Sequence, residues 1–391
     1  MQILHINDKL EESGGTETYI RDLIPALQKQ NINTFLLSMK LINSVLIIES
    51  SKNKFNWSGK IKNFKESNIY KFVDQNTVFH VHNLKEPKIM ELLFKLGPVI
   101  RHLHTTSIFC PGNDKFWSKN EELCKINFGY KCVLNAYIKK CCNRHPKRLL
   151  KAFANTHYEV NKAKNKYSSF IVNSSFLYDE AIKAGYKKEK IKLISYFTNL
   201  TPNYNSTNKT PPQITFIGRL SNRKGVNYLI DAFALIVKKI PAAILNVVGR
   251  GHSEKEFFLQ ADKYSFKNSV RFIGWGNKNL INDYILKSTV VAFPSIYPET
   301  FGIVGIEAMI RGRPVVAFDV GGVKDWLKNN ESGLLVKVKD TEGFANSIIK
   351  ILEDKALAKQ MGKRAREIAK LQFSEKIHLK KLVESYKNAL S

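Results

Sequence analysis

Apolar positions along this chain fall into short continuous runs and longer stretches with a period near 3.6 residues, and the two kinds alternate. QILHIN near the start, the run ending in VIRHLH, ITFI at 214–217 and TVVAF at 289–293 read as buried strands. SGGTETYIRDLIPALQKQ, the stretch from about Gly225 and the run opening at Phe301-Gly302 read as helices. Pro25 falls inside the first of these and interrupts its pattern, because proline removes a backbone donor. The Pro-, Asn- and Thr-rich stretch LTPNYNSTNKTPP at 200–212 interrupts the alternation and reads as a linker. Strands alternating with helices on both sides predict two doubly wound α/β domains, residues 1–199 and 213–373. Such sheets bind ligands beyond the carboxyl ends of their strands, so the active site is expected in a cleft between the domains.

A chain of 391 residues with 43% apolar content is long enough for two cores. No apolar stretch reaches the eighteen or so residues of a membrane span and no signal-peptide pattern is seen, so a cytoplasmic location is expected. Charge complicates that picture. The net charge of +28 is shared between the halves: residues 1–200 carry 32 basic and 17 acidic side chains, leaving 30 and 17 for the rest.

Candidate chemistry concentrates in PSIYPETFGIVGIEAM at 294–309, where Glu299 precedes a helix start and Glu307 lies inside the helix. A helix N-terminus presents free N–H groups to an anion. The carboxylates are more than a turn apart, which suits hydrogen bonds from sugar and ribose hydroxyls better than an acid/base dyad. Upstream, the turn after ITFI carries Gly218, Arg219, Lys224 and Gly225. Glycines admit close approach of backbone to a ligand, and Arg with Lys supplies a fork and a point charge for phosphate oxygens.

On these residues the chain resembles the retaining nucleotide-sugar glycosyltransferases of family 4, with the two-Rossmann-domain GT-B architecture. The resemblance implies that Arg219 and Lys224 grip the donor diphosphate, Glu299 contacts the donor sugar and Glu307 holds the ribose. It implies that Phe301, Gly302, Ile303 and Val304 supply helix-start contacts, and that Gly249, in NVVGRGHSEKEF, and Gly218 line the donor site. VRFIGWGNKNLINDYI resembles the strand and loop beside the base, and Gly321-Gly322 a further loop. In the first half, Gly14 and Gly15 resemble the donor-facing loop and His104 the active-site histidine, although Thr105 stands where many relatives have Asp. His102, two residues earlier, is expected to face the opposite way. The helix over 374–391 is expected to cross back to the first domain, as in relatives.

The implied function is transfer of a sugar from a nucleotide diphosphate sugar to a hydroxyl, with retention and without a catalytic metal or other cofactor. A UDP-sugar is the first expectation, with GDP- or ADP-sugars as alternatives. The acceptor implied is a glycan or lipid-linked precursor of a cell-surface polysaccharide or lipopolysaccharide. Arg219, Lys224 and the helix N-terminus would stabilise the leaving diphosphate, His104 and Glu299 would sit at the reacting sugar, and domain closure would exclude water. The same architecture serves glycan phosphorylases and epimerases, but no lysine for pyridoxal phosphate is identified. A catalytically silent GT-B scaffold or membrane-surface binding protein is the alternative from another class.

Two features fall outside that frame. Between Glu122 and Glu159 no acidic residue occurs, while Lys125, Lys131, Lys139, Lys140, Arg144, Lys147, Arg148 and Lys151 do, interleaved with Phe128, Tyr130, Tyr137 and Phe153. This suits an anionic membrane surface at the inner face, or an acidic acceptor, equally with a solvated helix face. Nucleic acid is a poorer partner, because no nucleic-acid motif accompanies the charge. All five cysteines lie between Cys110 and Cys142, and Cys110, Cys124, Cys132 and Cys141 are candidate ligands for a structural zinc, against buried or free thiols.

Overall fold

The structure, a computed structural model, describes residues 1–8, 14–42, 45–50, 56–60, 73–198, 211–264, 266 and 269–391. The chain forms two compact units, residues 1–196 with 375–391, and residues 197–374. Residues 199–210, most of the segment read as a linker, lie outside the described residues.

The first unit contains β1 (Gln2–Asn7), α1 (Gly15–Gln28), β2 (Asn33–Ile42), β3 (Val45–Ser50), β4 (Asn56–Lys60), β5 (Thr77–Val81), α2 (Pro87–Leu96), β6 (Val99–Leu103), β7 (Phe116–Trp117), β8 (Glu122–Leu123), α3 (Lys131–Ile138), α4 (Pro146–Tyr158), β9 (Ser169–Val172), α5 (Ser175–Lys183) and β10 (Ile191–Leu193). Its main sheet has the order β10-β9-β6-β5-β1-β2-β3-β4. The strands from β10 to β2 are parallel, while β3 and β4 extend the edge in antiparallel fashion. Helix α1 runs through Pro25 without a break. Proline there sits in the last turn, so it forfeits a single hydrogen bond near an end that is already open.

The two faces of this sheet differ. Leu4, Ile6, Phe79, Val81, Val99 and Phe170 point into the apolar core with α2 and α5. The alternate positions place His5, His80 and His102 on the other face, because strand side chains alternate with period two.

The second unit contains β11 (Gln213–Ile217), α6 (Val226–Lys239), β12 (Ile244–Val248), α7 (Glu254–Lys263), β13 (Val270–Gly274), α8 (Lys278–Lys287), β14 (Val290–Phe293), α9 (Ile303–Ile310), β15 (Val315–Phe318), α10 (Val323–Trp326), β16 (Gly333–Val336), α11 (Thr341–Glu353) and α12 (Lys355–Gln372). Its six strands are parallel in the order β13-β12-β11-β14-β15-β16. Five of them are largely buried, as expected of strands covered by helices on both faces, while the edge strand β13 is only partly buried. The order reverses between β11 and β14, and a crevice at such a switch point is where doubly wound sheets hold ligands. The final helix, α13 (Glu375–Leu390), belongs to the first unit, where it packs on α1, β5 and β6.

Candidate functional site

The switch point of the second unit brings together the two segments singled out from the sequence. After β11, a short turn carries Arg219 and Lys224 to the start of α6, and after β14 the loop 294–302 leads into α9. Lys224 Nζ donates to Glu299 Oε1 at 2.6 Å. Ser295 Oγ donates to the same oxygen at 2.5 Å, and Tyr297 OH to Oε2 at 2.8 Å. The Lys224 ammonium also lies 5.1 Å from the Tyr297 ring centroid. Glu299 is 4% exposed, so its charge is sustained by these three donors rather than by water.

Backbone contacts lock the segments together. Ile296 N–H donates to the Arg223 carbonyl at 3.0 Å, and Gly322 N–H to the Glu299 carbonyl at 2.7 Å. Gly225 has φ +68, and a Cβ there would stand 1.8 Å from the Pro294 carbonyl oxygen. Only glycine permits both that conformation and that approach. Gly302, with φ +97, caps α9 and turns the chain so that the N–H groups at Ile303 and Val304 open the helix. The Phe301 ring is fully buried and its carbonyl accepts from Trp326 Nε1 at 2.6 Å, so Phe301 offers the site backbone rather than side chain.

Glu307 lies on α9 and is half-buried. Its carbonyl accepts from Arg311 Nη1 at 2.8 Å, and its carboxylate opposes the effect of burial, which lowers the Arg311 pKa. Arg219 is exposed, while Gly218 and Gly249 are held at the same sheet edge by hydrogen bonds to Val248 and Gly274 at 3.0 and 2.8 Å. Ser295 and Tyr297 were not singled out by sequence. Four and two positions before Glu299, they carried no signal beyond their hydroxyls.

In the first unit, Gly14 and Gly15 open α1 after β1. His104 lies just beyond β6 and is 4% exposed. Its Nδ1 is 2.5 Å from Tyr196 OH, and its Nε2 is 2.8 Å from His82 Nδ1. His102 does not face away from His104: their rings stack with centroids 4.1 Å apart. Residues two apart share a face of a strand, and the opposite orientation belongs to neighbours one apart.

These two rings belong to a larger layer. His5, His80, His82, His102, His104 and His378, six of the nine histidines, are buried together. His5 Nδ1 is 3.0 Å from His82 Nε2, His80 Nε2 is 3.2 Å from His102 Nδ1, and His80 Nδ1 is 2.7 Å from Tyr386 OH. His378 Nδ1 donates to the Ser195 carbonyl at 2.8 Å, so its Nε2 accepts from Tyr19 OH at 2.9 Å. Burial pushes His5 and His104 down to about 3 and His378 to about 4, so the rings are neutral at pH 7. His80, His82 and His102 are held well below their ordinary value by burial first and by the charges of other histidines of the layer second. The H-x-H repeats FHVH and RHLH on adjacent strands were the sequence signal for this layer, and reading one histidine at a time missed it.

Among the described residues, the sets of three or more donors lying within 4.8 Å of one another are His5, His80 and His82, and His82, His102 and His104. Cys110, Cys124, Cys132 and Cys141 are not such a set, and none of the five cysteines is in a disulfide. Burial raises the Cys110 thiol to about 11 and raises Cys124 and Cys132 as well. Cys142 is lowered by a hydrogen bond from Cys141.

Residues 199–368 match the family model for glycosyl transferases group 1. That match spans nearly the whole of the second unit. Curated relatives include a glycogen synthase of Mycobacterium tuberculosis, 28% identical over 40% of this chain and 38% of its own length. A Rhizobium meliloti lipopolysaccharide core biosynthesis glycosyltransferase, LpsE, is 29% identical over 52% of this chain and 59% of its own length. The first curated relatives are thus matched over less than two thirds of their length. Among solved structures, Anabaena HepE with UDP and glucose has a TM-score of 0.67 at 20% identity, covering 99% of each chain. Sucrose-phosphate synthase from Thermosynechococcus elongatus has a TM-score of 0.71 at 20% identity, covering 99% of this chain and 98% of its own. The paired α/β units of this chain are therefore the GT-B fold of such glycosyltransferases.

Proposed function

We propose that this protein transfers a glycosyl group, with retention of anomeric configuration, from a nucleotide diphosphate sugar to a hydroxyl of a glycan or lipid-linked acceptor. The observation that carries this reading is the Lys224–Glu299 contact of 2.6 Å at the switch point, beside the open end of α9. Departure of the diphosphate builds negative charge on its oxygens, and Arg219, Lys224 and the α9 N-terminus are the groups set to stabilise it without a metal. Glu299 then holds sugar hydroxyls, and Glu307 the ribose. His104, hydrogen-bonded to His82 and Tyr196, is assigned to the acceptor side. HepE is described with UDP, glucose and UDP-glucose, which supports a uridine nucleotide as donor.

The exposed surface of α3 and α4 supports work at an anionic membrane from the cytoplasmic side. Tyr130 is 74% and Leu150 70% exposed, and Leu134, Tyr137 and Ile138 are also exposed among the basic residues. Phe128 and Phe153 instead pack on each other at 4.7 Å. Among the described residues no helix is long and apolar enough to cross a membrane.

The deciding experiment is calorimetric titration with UDP, GDP and ADP on the wild type, Lys224→Ala and Glu307→Ala. One nucleotide should bind, and each substitution should weaken it about tenfold or more, since a hydrogen bond to a charged group contributes roughly 1.5–3 kcal/mol. With the matching sugar nucleotide, proton NMR of the product should show the donor's anomeric configuration, and the rate should be unchanged by EDTA. No binding to any nucleotide would favour a silent scaffold.

A further inference from the structure

At the carboxyl edge of the first unit's sheet lies a cavity of about 260 Å³. Three segments build it. Lys85 comes from the loop after β5, Ser107 and Asn113 from the loop after β6, and Arg148, Lys151 and Asn155 from one face of α4. Spacings of three, four and seven along a helix bring those last side chains to one stripe. Among the described residues the lining holds three cations and no carboxylate.

Two of the three cations, Lys85 and Arg148, have no carboxylate ion pair among the described residues. Lys85 is half-buried, and the partner of its Nζ is the neutral Asn113 Oδ1, at 2.6 Å. Burial first, and the charge of Arg101 second, push the Lys85 ammonium down to about 8, against the opposing charges of Glu159 and Asp8. Lys151 lies 3.7 Å from Glu86, and Arg148 has no ion pair among the described residues. Ser107, Asn113 and Asn155 add neutral polar groups around the cations. A volume this small admits a compact anion more readily than an oligosaccharide.

We propose that this cavity binds the phosphate or diphosphate group of the acceptor, so that the glycosyl acceptor is a phosphorylated molecule. This rests on the glycosyltransferase reading above and narrows its acceptor. Lys85 and Arg148 take the anion's oxygens, with Lys151 at the mouth. The phosphate belongs either to a lipid carrier or to a soluble sugar phosphate.

Both sources can be tested on the full chain with saturating UDP present, which occupies the donor diphosphate site. Farnesyl phosphate, glucose 1-phosphate, farnesol and glucose are titrated calorimetrically. Each phosphate should bind at least tenfold more tightly than its neutral counterpart. Preference for farnesyl phosphate identifies a lipid-linked acceptor, and preference for glucose 1-phosphate a soluble one. Arg148→Glu combined with Lys151→Glu, both on the exposed face of α4, should abolish the phosphate preference while leaving UDP affinity unchanged. Lys85→Gln should weaken it tenfold, and the exposed control Lys95→Glu should not change it. Equal binding of phosphorylated and neutral probes, or an equal loss in Lys95→Glu, overturns the proposal. Failure of the wild type to bind UDP would sink the donor assignment instead, and the cavity would still be judged by the substitutions in the first unit.

Discussion

At the scale of single residues, the site depends on positions where chemistry and backbone conformation coincide. Gly218, Arg219, Lys224, Glu299 and Glu307 could be picked out of the sequence because glycine turns, basic side chains and helix starts leave local marks. Ser295 and Tyr297 could not, since a hydroxyl acquires its meaning from the carboxylate that the fold places against it. Gly225 joins the two segments. With φ +68 and the Pro294 carbonyl oxygen 1.8 Å from a would-be Cβ, Gly225→Ala must push α6 away from the loop 294–302. The expected result is about 1–3 kcal/mol of lost stability in guanidinium melts, together with weaker UDP binding. Unchanged melts would show that the two segments can separate freely.

Among elements, β1, β11 and β14 lie where apolar runs placed them, whereas the antiparallel extension of β3 and β4 was not legible. Burial of polar residues was not legible. VIRHL reads as an apolar run interrupted by basic side chains, yet all five of its residues are buried, because Arg101 meets Glu159 at 3.8 Å on one face and His102 joins the histidine layer on the other. That layer makes a prediction about acid. Its rings titrate below 6.5 when folded, so the unfolded chain binds protons that the folded chain refuses. The stability they contribute is therefore fully present above about pH 6.5, and is lost as pH falls toward about 4 for His378 and about 3 for His5 and His104. Unfolding free energies from urea melts between pH 7.5 and 5 should fall with a limiting slope of about 1.4 kcal/mol per pH unit for each such histidine, and His82→Asn should flatten the slope. A flat profile in the wild type would mean that the layer is charged or open to water.

On the scale of the whole molecule, the division into two units was legible from composition. Membership of α13 in the first unit was suggested by resemblance alone, since an amphipathic helix does not encode which surface it covers. Its anchors are specific: Tyr386 to His80, and His378 to Tyr19 and the Ser195 carbonyl. Removal of residues 375–391 should therefore damage the distant first unit and spare the adjacent second one. Calorimetry should show loss of one unfolding transition, while the remaining transition still shifts upward with UDP. Loss of UDP binding in the truncated chain would contradict this assignment.

The position of α13 also bears on how the protein is made. Domains emerging from a ribosome ordinarily fold in the order of synthesis, the first one first. Here the histidine face of the first unit waits for a helix that is translated only after all of residues 197–374. Until it arrives with His378 and Tyr386, the imidazoles of His5, His80, His82, His102 and His104 and the ring of Tyr19 stand without their cover, so the second unit is the one able to complete itself earlier. A nascent chain of this protein is thus finished in reverse, with its opening segment sealed after everything in between.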